Sequence, residues 1–142
     1  MDDRILVPFD GSPLARRALE RAVTAHPDAT ITVLYVIDPV YVVYEAESRG
    51  LPEAEGWHDR MKAQADELCT KAEALAEKGD CTITTEVVTG KPAREILAFA
   101  EANDIDHIIM GSHGRSGVPR LVLGSVAETV MRQSPVPVTI VR

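Results

Sequence analysis

Residues 111–125, GSHGRSGVPRLVLGS, contain four glycines directly after the apolar run at 107–110. Glycine loses more conformational freedom on folding than any other residue, so this concentration indicates sharp turns or close approach of another group to the backbone. Gly111, Gly114, Gly124 and Ser125 fit the spacing G-x2-G-x9-G-S. Backbone amides at the first two glycines, and the start of a helix near Ser125, can both bind an anion. The stretch therefore predicts a polyphosphate-binding loop.

Other side chains of this stretch leave alternatives open. His113, Arg115 and Arg120 add potential positive charge, although solvated loop arginines are an equal alternative. Ser125 and Glu128 also match the S-x-x-E pattern of a capping box. The Ser125 hydroxyl therefore either caps a helix or contacts phosphate, and the sequence favours neither.

Asp10 is the second candidate for chemistry, because it follows the first predicted strand in the stretch PFDGS. A carboxylate at that place can accept a hydrogen bond from a ribose hydroxyl or hold Mg²⁺ beside phosphates. The alternative is a turn-forming Asp-Gly pair. Neither the G-x4-G-K-[ST] motif of P-loop proteins nor the G-x-G-x-x-G dinucleotide motif occurs, which excludes the two commonest phosphate-loop signatures.

Apolar runs alternate with helical periodicity along the chain, and this alternation predicts the elements that position these residues. The predicted strands are 4–9, 30–37, 81–89, 106–110 and 137–142, and the predicted helices are one from Pro13 with Ser12 as N-cap, 57–78, 92–103 and 125–133. Residues 38–56 are predicted to form a loop that includes at most a short helical turn. The pattern indicates one α/β domain, 1–142, with a parallel sheet and helices on both faces. Ligands bind such sheets beyond the carboxyl ends of the strands, here strands one and four.

Composition excludes several classes of function. A net charge of -7 and a sequence pI near 5.0 argue against binding to nucleic acid or to an anionic membrane. The longest apolar run is far shorter than the roughly 20 residues of a membrane span. The acidic start, MDD, does not resemble a secretory signal, so a cytoplasmic location is expected. Cys69 and Cys81 lack metal-type spacing and are expected to be free and buried, and the histidines at 26, 58 and 107 are expected to be structural or surface residues.

The stretches ILVPFDGSPLARRAL, LYVID and DHIIMGSHGRSGVPRLVLGSVAETVMRQSPVPVTIVR resemble the universal stress protein family over essentially the whole chain. The resemblance implies an open five-stranded sheet of order 3-2-1-4-5. The glycine spacing is similar to that of the ATP-binding branch of the family. The resemblance implies that phosphate and ribose are held by Gly111, Gly114, Gly124, Ser125 and Val126, that Pro8 and Asp10 line the strand-one side, and that Val36 meets adenine with Met110 beside it.

The resemblance also implies a homodimer that pairs the last strand, Val136 to Val141, across a two-fold axis. Pro137 lacks an N–H donor, so it must lie at the start of that strand or face away from the ladder. The expected function is a non-catalytic, ATP-binding regulatory module of the stress response, with Mg²⁺ as a candidate companion of ATP. The alternatives are a weak ATP hydrolase or phosphotransfer enzyme, for which no nucleophile stands out, and a nucleotide-free dimeric adaptor.

Overall fold

Strands and helices alternate in the computed structural model, which describes residues 3–40, 54–77, 81–113 and 123–142. The strands are β1 Arg4–Pro8, β2 Thr30–Ile37, β3 Thr82–Thr89, β4 His107–Gly111 and β5 Val138–Val141. The helices with described bounds are α1 Pro13–Ala25, α2 Ala54–Ala76, α3 Pro92–Ala102 and α4 Ser125–Gln133. Pro39 and Val40, directly after β2, are also helical. Every predicted strand and helix is confirmed, and the largest difference is that α2 begins at Ala54 rather than residue 57. Most of the predicted loop, 41–53, lies outside the described residues.

The five strands form one parallel sheet in the order β3-β2-β1-β4-β5, as expected. Its central strands are almost completely buried; in β1, for example, Ile5, Leu6 and Val7 are all 0% exposed. Continuous apolar runs of this kind are typical of strands that are covered by helices on both faces. The edge strand β5 begins directly after Pro137, which is one of the two places that the sequence allowed for this proline.

Each face of the sheet carries two helices and its own apolar core. Buried residues of α1 and α2, such as Leu19 and Leu68, pack with Ile5 on one face. Residues of α3 and α4, such as Ile96 and Val130, form the core of the other face. Because β1 lies between β2 and β4, the chain crosses from one half of the sheet to the other after β3. Ligand crevices of open α/β sheets form at such a reversal of strand order.

Helix α1 begins as the sequence predicts. The Ser12 hydroxyl accepts a hydrogen bond from the Ala15 amide at 3.3 Å, and Pro13 occupies the first helical position. The buried stripe of the helix consists of Ala15, Ala18, Leu19, Ala22 and Val23. This helix is therefore fixed at its N-terminus, which is the end that faces the carboxyl edge of the sheet.

His107, at the opposite edge of the sheet, has a structural role. Its Nε2 atom lies 2.7 Å from the Thr139 hydroxyl of β5, and its ring stacks edge-on against His26 with the ring centroids 5.6 Å apart. Burial, and to a smaller extent the nearby His26, lowers the pKa of His107 below its usual value. The structure thus joins the end of α1 to the last two strands of the sheet through two histidine rings. The side chain of His58 lies outside the described residues.

Both cysteines are free and half-buried. Cys81 packs against the core under α1 and α2, and burial raises the pKa of the Cys69 thiol. Within the described ranges, no group of three or more His, Cys, Asp or Glu side chains could hold a metal ion. In the same ranges, no helix is both long and apolar enough to cross a membrane.

Candidate functional site

A pocket of about 380 Å³ lies at the carboxyl ends of β1, β2 and β4, between the sheet and the helices α3 and α4. Pockets for small ligands in proteins commonly have volumes of about 300–1,000 Å³. The pocket also lies where the strand order reverses. The pocket therefore lies where open α/β sheets bind their ligands.

Nine of the predicted site residues line this one pocket. They are Pro8, Asp10, Val36, Met110, Gly111, His113, Gly124, Ser125 and Val126. Four elements of the chain supply them, so their proximity is a result of the fold and not of their spacing in sequence. The predicted residues Gly114, Arg115 and Arg120 lie outside the described residues.

The end of β1 holds Asp10 in a fixed turn. Its Oδ1 atom accepts a hydrogen bond from the Ser12 amide at 2.9 Å. Gly11, between them, has a φ of +81°, a conformation that residues with a side chain rarely adopt. An added Cβ atom at Gly11 would also lie 2.6 Å from Leu68. The Asp-Gly pair thus forms the predicted turn and at the same time places the Asp10 carboxylate on the pocket wall.

The end of β4 is held closely against α1. A Cβ atom at Gly111 would lie 2.8 Å from Cβ of Leu14 and 3.1 Å from its backbone carbon. The glycine at this position is therefore required by helix packing. Beyond it, the Ser112 amide donates to the carbonyl of Val141, and the Ser112 hydroxyl lies 3.3 Å from Nδ1 of the pocket residue His113.

The N-terminus of α4 lies next to the end of β4. Gly124 is the N-cap residue, and its amide donates to the Ser112 carbonyl at 2.7 Å. A Cβ atom at Gly124 would lie 3.0 Å from that same carbonyl oxygen. The glycine therefore allows the start of α4 to approach the end of β4, as its place in the glycine spacing suggested.

The structure corrects the capping-box alternative for Ser125. The N-cap is Gly124, which has no side chain, and Ser125 is the first residue of the helix with an exposed side chain. Glu128 forms an ion pair with Arg132 at 2.9 Å. The S-x-x-E pattern was misleading because Ser125 lies one position too late to cap the helix, and Ser125 instead lines the pocket.

Several lining residues carried no signal that was recognised in the sequence, notably Asp38, Pro92 and Ile96. Pro92 and Ile96 belong to the first turns of α3 and form an apolar wall opposite Val36 of β2. Asp38 follows β2 as Asp10 follows β1, and this shared position after a central strand was a signal that could have identified it.

Among the described lining residues there is no Lys or Arg. The N-termini of α1, α3 and α4, represented by Ser12, Pro92 and Ser125, border the pocket, and their dipoles give the described wall partial positive charge.

The pocket has chemically different ends. Its β2 end is bounded by Val36, Pro92 and Ile96, which suits a flat apolar group such as a nucleobase. Its β4 end is bounded by His113 and by the first turn of α4, whose amides have no partner within the helix and suit an anion. Neighbouring strands are about 4.8 Å apart, so two strand spacings separate these ends by about 10 Å. An elongated ligand with an apolar and an anionic end fits this arrangement.

Comparison with known proteins identifies close similarity to one family. A model of the universal stress protein family matches residues 1–142. Universal stress protein MJ0531 of Methanocaldococcus jannaschii is 35% identical over 144 residues, which cover 98% of this chain and 81% of that protein.

Solved structures of similar proteins have the same fold. MJ0577 of Methanocaldococcus jannaschii superposes with a TM-score of 0.78 at 31% identity, covering 99% of this chain and 96% of that chain. UspA from Lactobacillus plantarum superposes with a TM-score of 0.80 at 27% identity, covering 99% and 97%.

Two less similar structures contain nucleotides. A universal stress protein in complex with cAMP has a TM-score of 0.71 at 23% identity, covering 99% of this chain and 97% of that chain. A universal stress protein of Archaeoglobus fulgidus in complex with dAMP has a TM-score of 0.66 at 19% identity, covering 100% and 98%. Because both identities are below 25%, these two comparisons show a shared fold and nothing further about this chain.

Proposed function

The chain belongs to the universal stress protein family, and we propose that it is a non-catalytic regulatory protein that binds an adenine nucleotide, with ATP as the ligand. The observation that carries the proposal is the meeting of nine predicted nucleotide-site residues in one pocket. The cAMP and dAMP complexes of two more distant relatives accord with this ligand class, and the inference for this chain rests on its own pocket.

The orientation of the nucleotide follows from the two ends of the pocket. The base lies at the β2 end against Val36 and Ile96, the ribose crosses the end of β1 near Asp10, and the phosphates lie at the start of α4. The amides of the first helical turn and the hydroxyl of Ser125 donate to phosphate oxygens there. His113 borders the same end of the pocket and supplies a further donor.

Mg²⁺ enters this site with the triphosphate. Magnesium keeps several water ligands and is commonly bound by one or two carboxylates together with substrate phosphates, so it does not require a cluster of protein ligands. Asp10 borders the pocket between its two ends and is the carboxylate that would hold the ion, directly or through water. The residues present thus fit a nucleotide-bound ion.

The non-catalytic part of the proposal is supported by the environment of Ser112. This serine lies beside His113, but it is only 3% exposed and is not among the residues that line the pocket. Phosphoryl transfer through a protein hydroxyl needs that hydroxyl and a base beside the terminal phosphate, and Ser112 does not meet this need. Attack by water needs only a group that orients the water, so hydrolysis is tested directly by measuring turnover.

The first experiment separates the three candidate functions. Freshly purified protein is denatured, the released small molecules are analysed by ion-exchange chromatography, and Mg-ATP is titrated onto the emptied protein by calorimetry. We expect stoichiometric adenine nucleotide and ATP that stays intact over hours. Release of ADP with turnover would instead support the hydrolase, and protein without measurable ATP affinity would support the adaptor.

We further propose that two copies pair through β5, the edge strand formed by Val138–Val141. The amides of Ile108 and Ser112 donate to the carbonyls of Pro137 and Val141, so in the alternating parallel pattern the amides of Thr139 and Val141 point towards β4. The amides of Val138 and Ile140 then point outward, where a second copy can accept from them. An unpaired edge of this kind otherwise invites aggregation.

A matched pair of proline substitutions tests the dimer. Ile140→Pro removes an outward amide and is expected to weaken dimerisation by at least about tenfold, the equivalent of about one or two lost hydrogen bonds, while the monomer stays folded. Val141→Pro removes an inward amide that bonds to β4. It is expected to lower the unfolding midpoint in addition to any effect on dimerisation. Sedimentation equilibrium and chemical denaturation measure the two effects. A wild-type monomer, or an unchanged dimer in Ile140→Pro, would exclude this interface.

A further inference from the structure

Asp38 has a fixed geometry at the base end of the pocket. It follows β2, is half-buried, and lines the pocket together with Val36 and Ile96. Its Oδ1 atom accepts a hydrogen bond from the Val40 amide at 2.9 Å, which holds the side chain at the start of the helical residues Pro39 and Val40. Among the residues that the structure describes, no group donates a hydrogen bond to the second oxygen, Oδ2.

The surroundings of Asp38 limit what Oδ2 can bind. The wall beside it is formed by the apolar side chains of Val36, Pro92 and Ile96. The Gly90 amide donates to the Ile37 carbonyl at 2.9 Å, which ties the loop before α3 to the end of β2 and keeps this wall next to Asp38. Because Asp38 is half-buried, Oδ2 is open to water from the pocket and can exchange that water for a donor on a ligand.

We propose that Asp38 selects the base of the nucleotide by accepting a hydrogen bond from its exocyclic amine. This inference rests on the proposed function, because it assumes that a nucleotide lies in the pocket with its base at the β2 end. An ionised carboxylate can only accept hydrogen bonds. The 6-amine of adenine is a donor, whereas hypoxanthine and guanine present a carbonyl oxygen at the same position, which Oδ2 repels.

Asp38→Asn gives a direct test, because the Val40 amide determines how the new side chain is oriented. The amide oxygen of asparagine keeps the bond with Val40, so its NH₂ group takes the place of Oδ2. The acceptor that faces the base is thereby replaced by a donor without a change in size. The control Asp66→Asn removes the same charge on the exposed surface of α2, away from the pocket.

The measurement is the affinity of each variant for ATP and for purine riboside triphosphate, which lacks only the 6-amine of ATP. Inosine triphosphate would not serve, because its N1 carries a proton that can donate to a carboxylate. We expect the wild type and Asp66→Asn to prefer ATP by at least about tenfold, as expected for one hydrogen bond to a charged group. In Asp38→Asn we expect the preference to fall to within about threefold of unity or to invert. Circular dichroism verifies that each variant is folded.

Other results would overturn the inference in distinguishable ways. If Asp38→Asn keeps the wild-type preference for ATP, Asp38 does not contact the amine, although the proposed function stands. If it loses affinity equally for both nucleotides, and wild type binds 2′-deoxy-ATP as weakly, the carboxylate holds the ribose instead. If wild type binds neither nucleotide, the proposed function itself fails.

Discussion

Gly124→Val is expected to weaken nucleotide binding about 100-fold while the chain stays folded. The Cβ atom alone would lie 3.0 Å from the Ser112 carbonyl oxygen and 3.2 Å from Cα of His113, and valine adds two methyl groups beyond it. The start of α4 must therefore move away from the end of β4, which breaks the 2.7 Å bond between the Gly124 amide and Ser112. Loss of two hydrogen bonds to phosphate, at about 1.5 kcal/mol each, corresponds to about 100-fold in ATP affinity.

The fold should tolerate this change because the backbone at Gly124, with φ of -65° and ψ of 157°, is accessible to any residue. Overpacking of this kind costs about 1–3 kcal/mol, against a typical domain stability of about 5–15 kcal/mol. Isothermal titration with Mg-ATP measures the affinity, and urea denaturation measures the stability.

Ser125→Ala is the matched control for Gly124→Val. It removes one hydroxyl from the same helix turn and leaves the backbone amides in place, so we expect a loss of affinity of about tenfold or less. Its stability should be unchanged, because Gly124 and not Ser125 caps α4. Wild-type ATP affinity in Gly124→Val would mean that the phosphates do not lie at the start of α4.

The sequence predicted the fold well because the physical signals for it are local. Each central strand is a continuous apolar run, and each helix presents an apolar stripe to the sheet, so their alternation alone indicates a parallel α/β sheet. The order of the strands, in contrast, depends on which crossovers pass to which side, and only the resemblance to a family supplied it. The start of α2 was misplaced since its first three residues precede the apolar stripe, and stripes do not mark helix ends.

The site was only partly predicted from the sequence. A residue type can indicate that another group must come close, but it does not show which group that is. The glycines of 111–125 indicated close approach to the backbone. At Gly111, however, the approaching group is Leu14 of α1, which lies nearly a hundred residues away in sequence. Asp38 was not identified from the sequence, because its proximity to Pro92 and Ile96 depends on how the crossover after β3 places α3. Long-range packing decided both cases.

Gly111→Ala is expected to destabilise the fold, in contrast to Gly124→Val. The φ of Gly111 is not in the left-handed region, and a glycine replaced by alanine at such a position normally stabilises a protein by about 0.4–1 kcal/mol. Here the new Cβ atom would lie 2.8 Å from Cβ of Leu14 and 3.1 Å from its backbone carbon, so the first turn of α1 must shift. We expect a loss of about 1–3 kcal/mol in the free energy of unfolding, measured by urea denaturation.

Saturating ATP separates the roles of the two glycines. A ligand that binds only the native state adds about 2.7 kcal/mol of stability at a concentration of 100 times its Kd. Gly111→Ala should start from a lower stability and still gain most of this increment, since the start of α4 is intact. Gly124→Val should gain little. If Gly111→Ala were as stable as wild type but lost the ATP increment, Gly111 would serve the nucleotide and not the contact with α1.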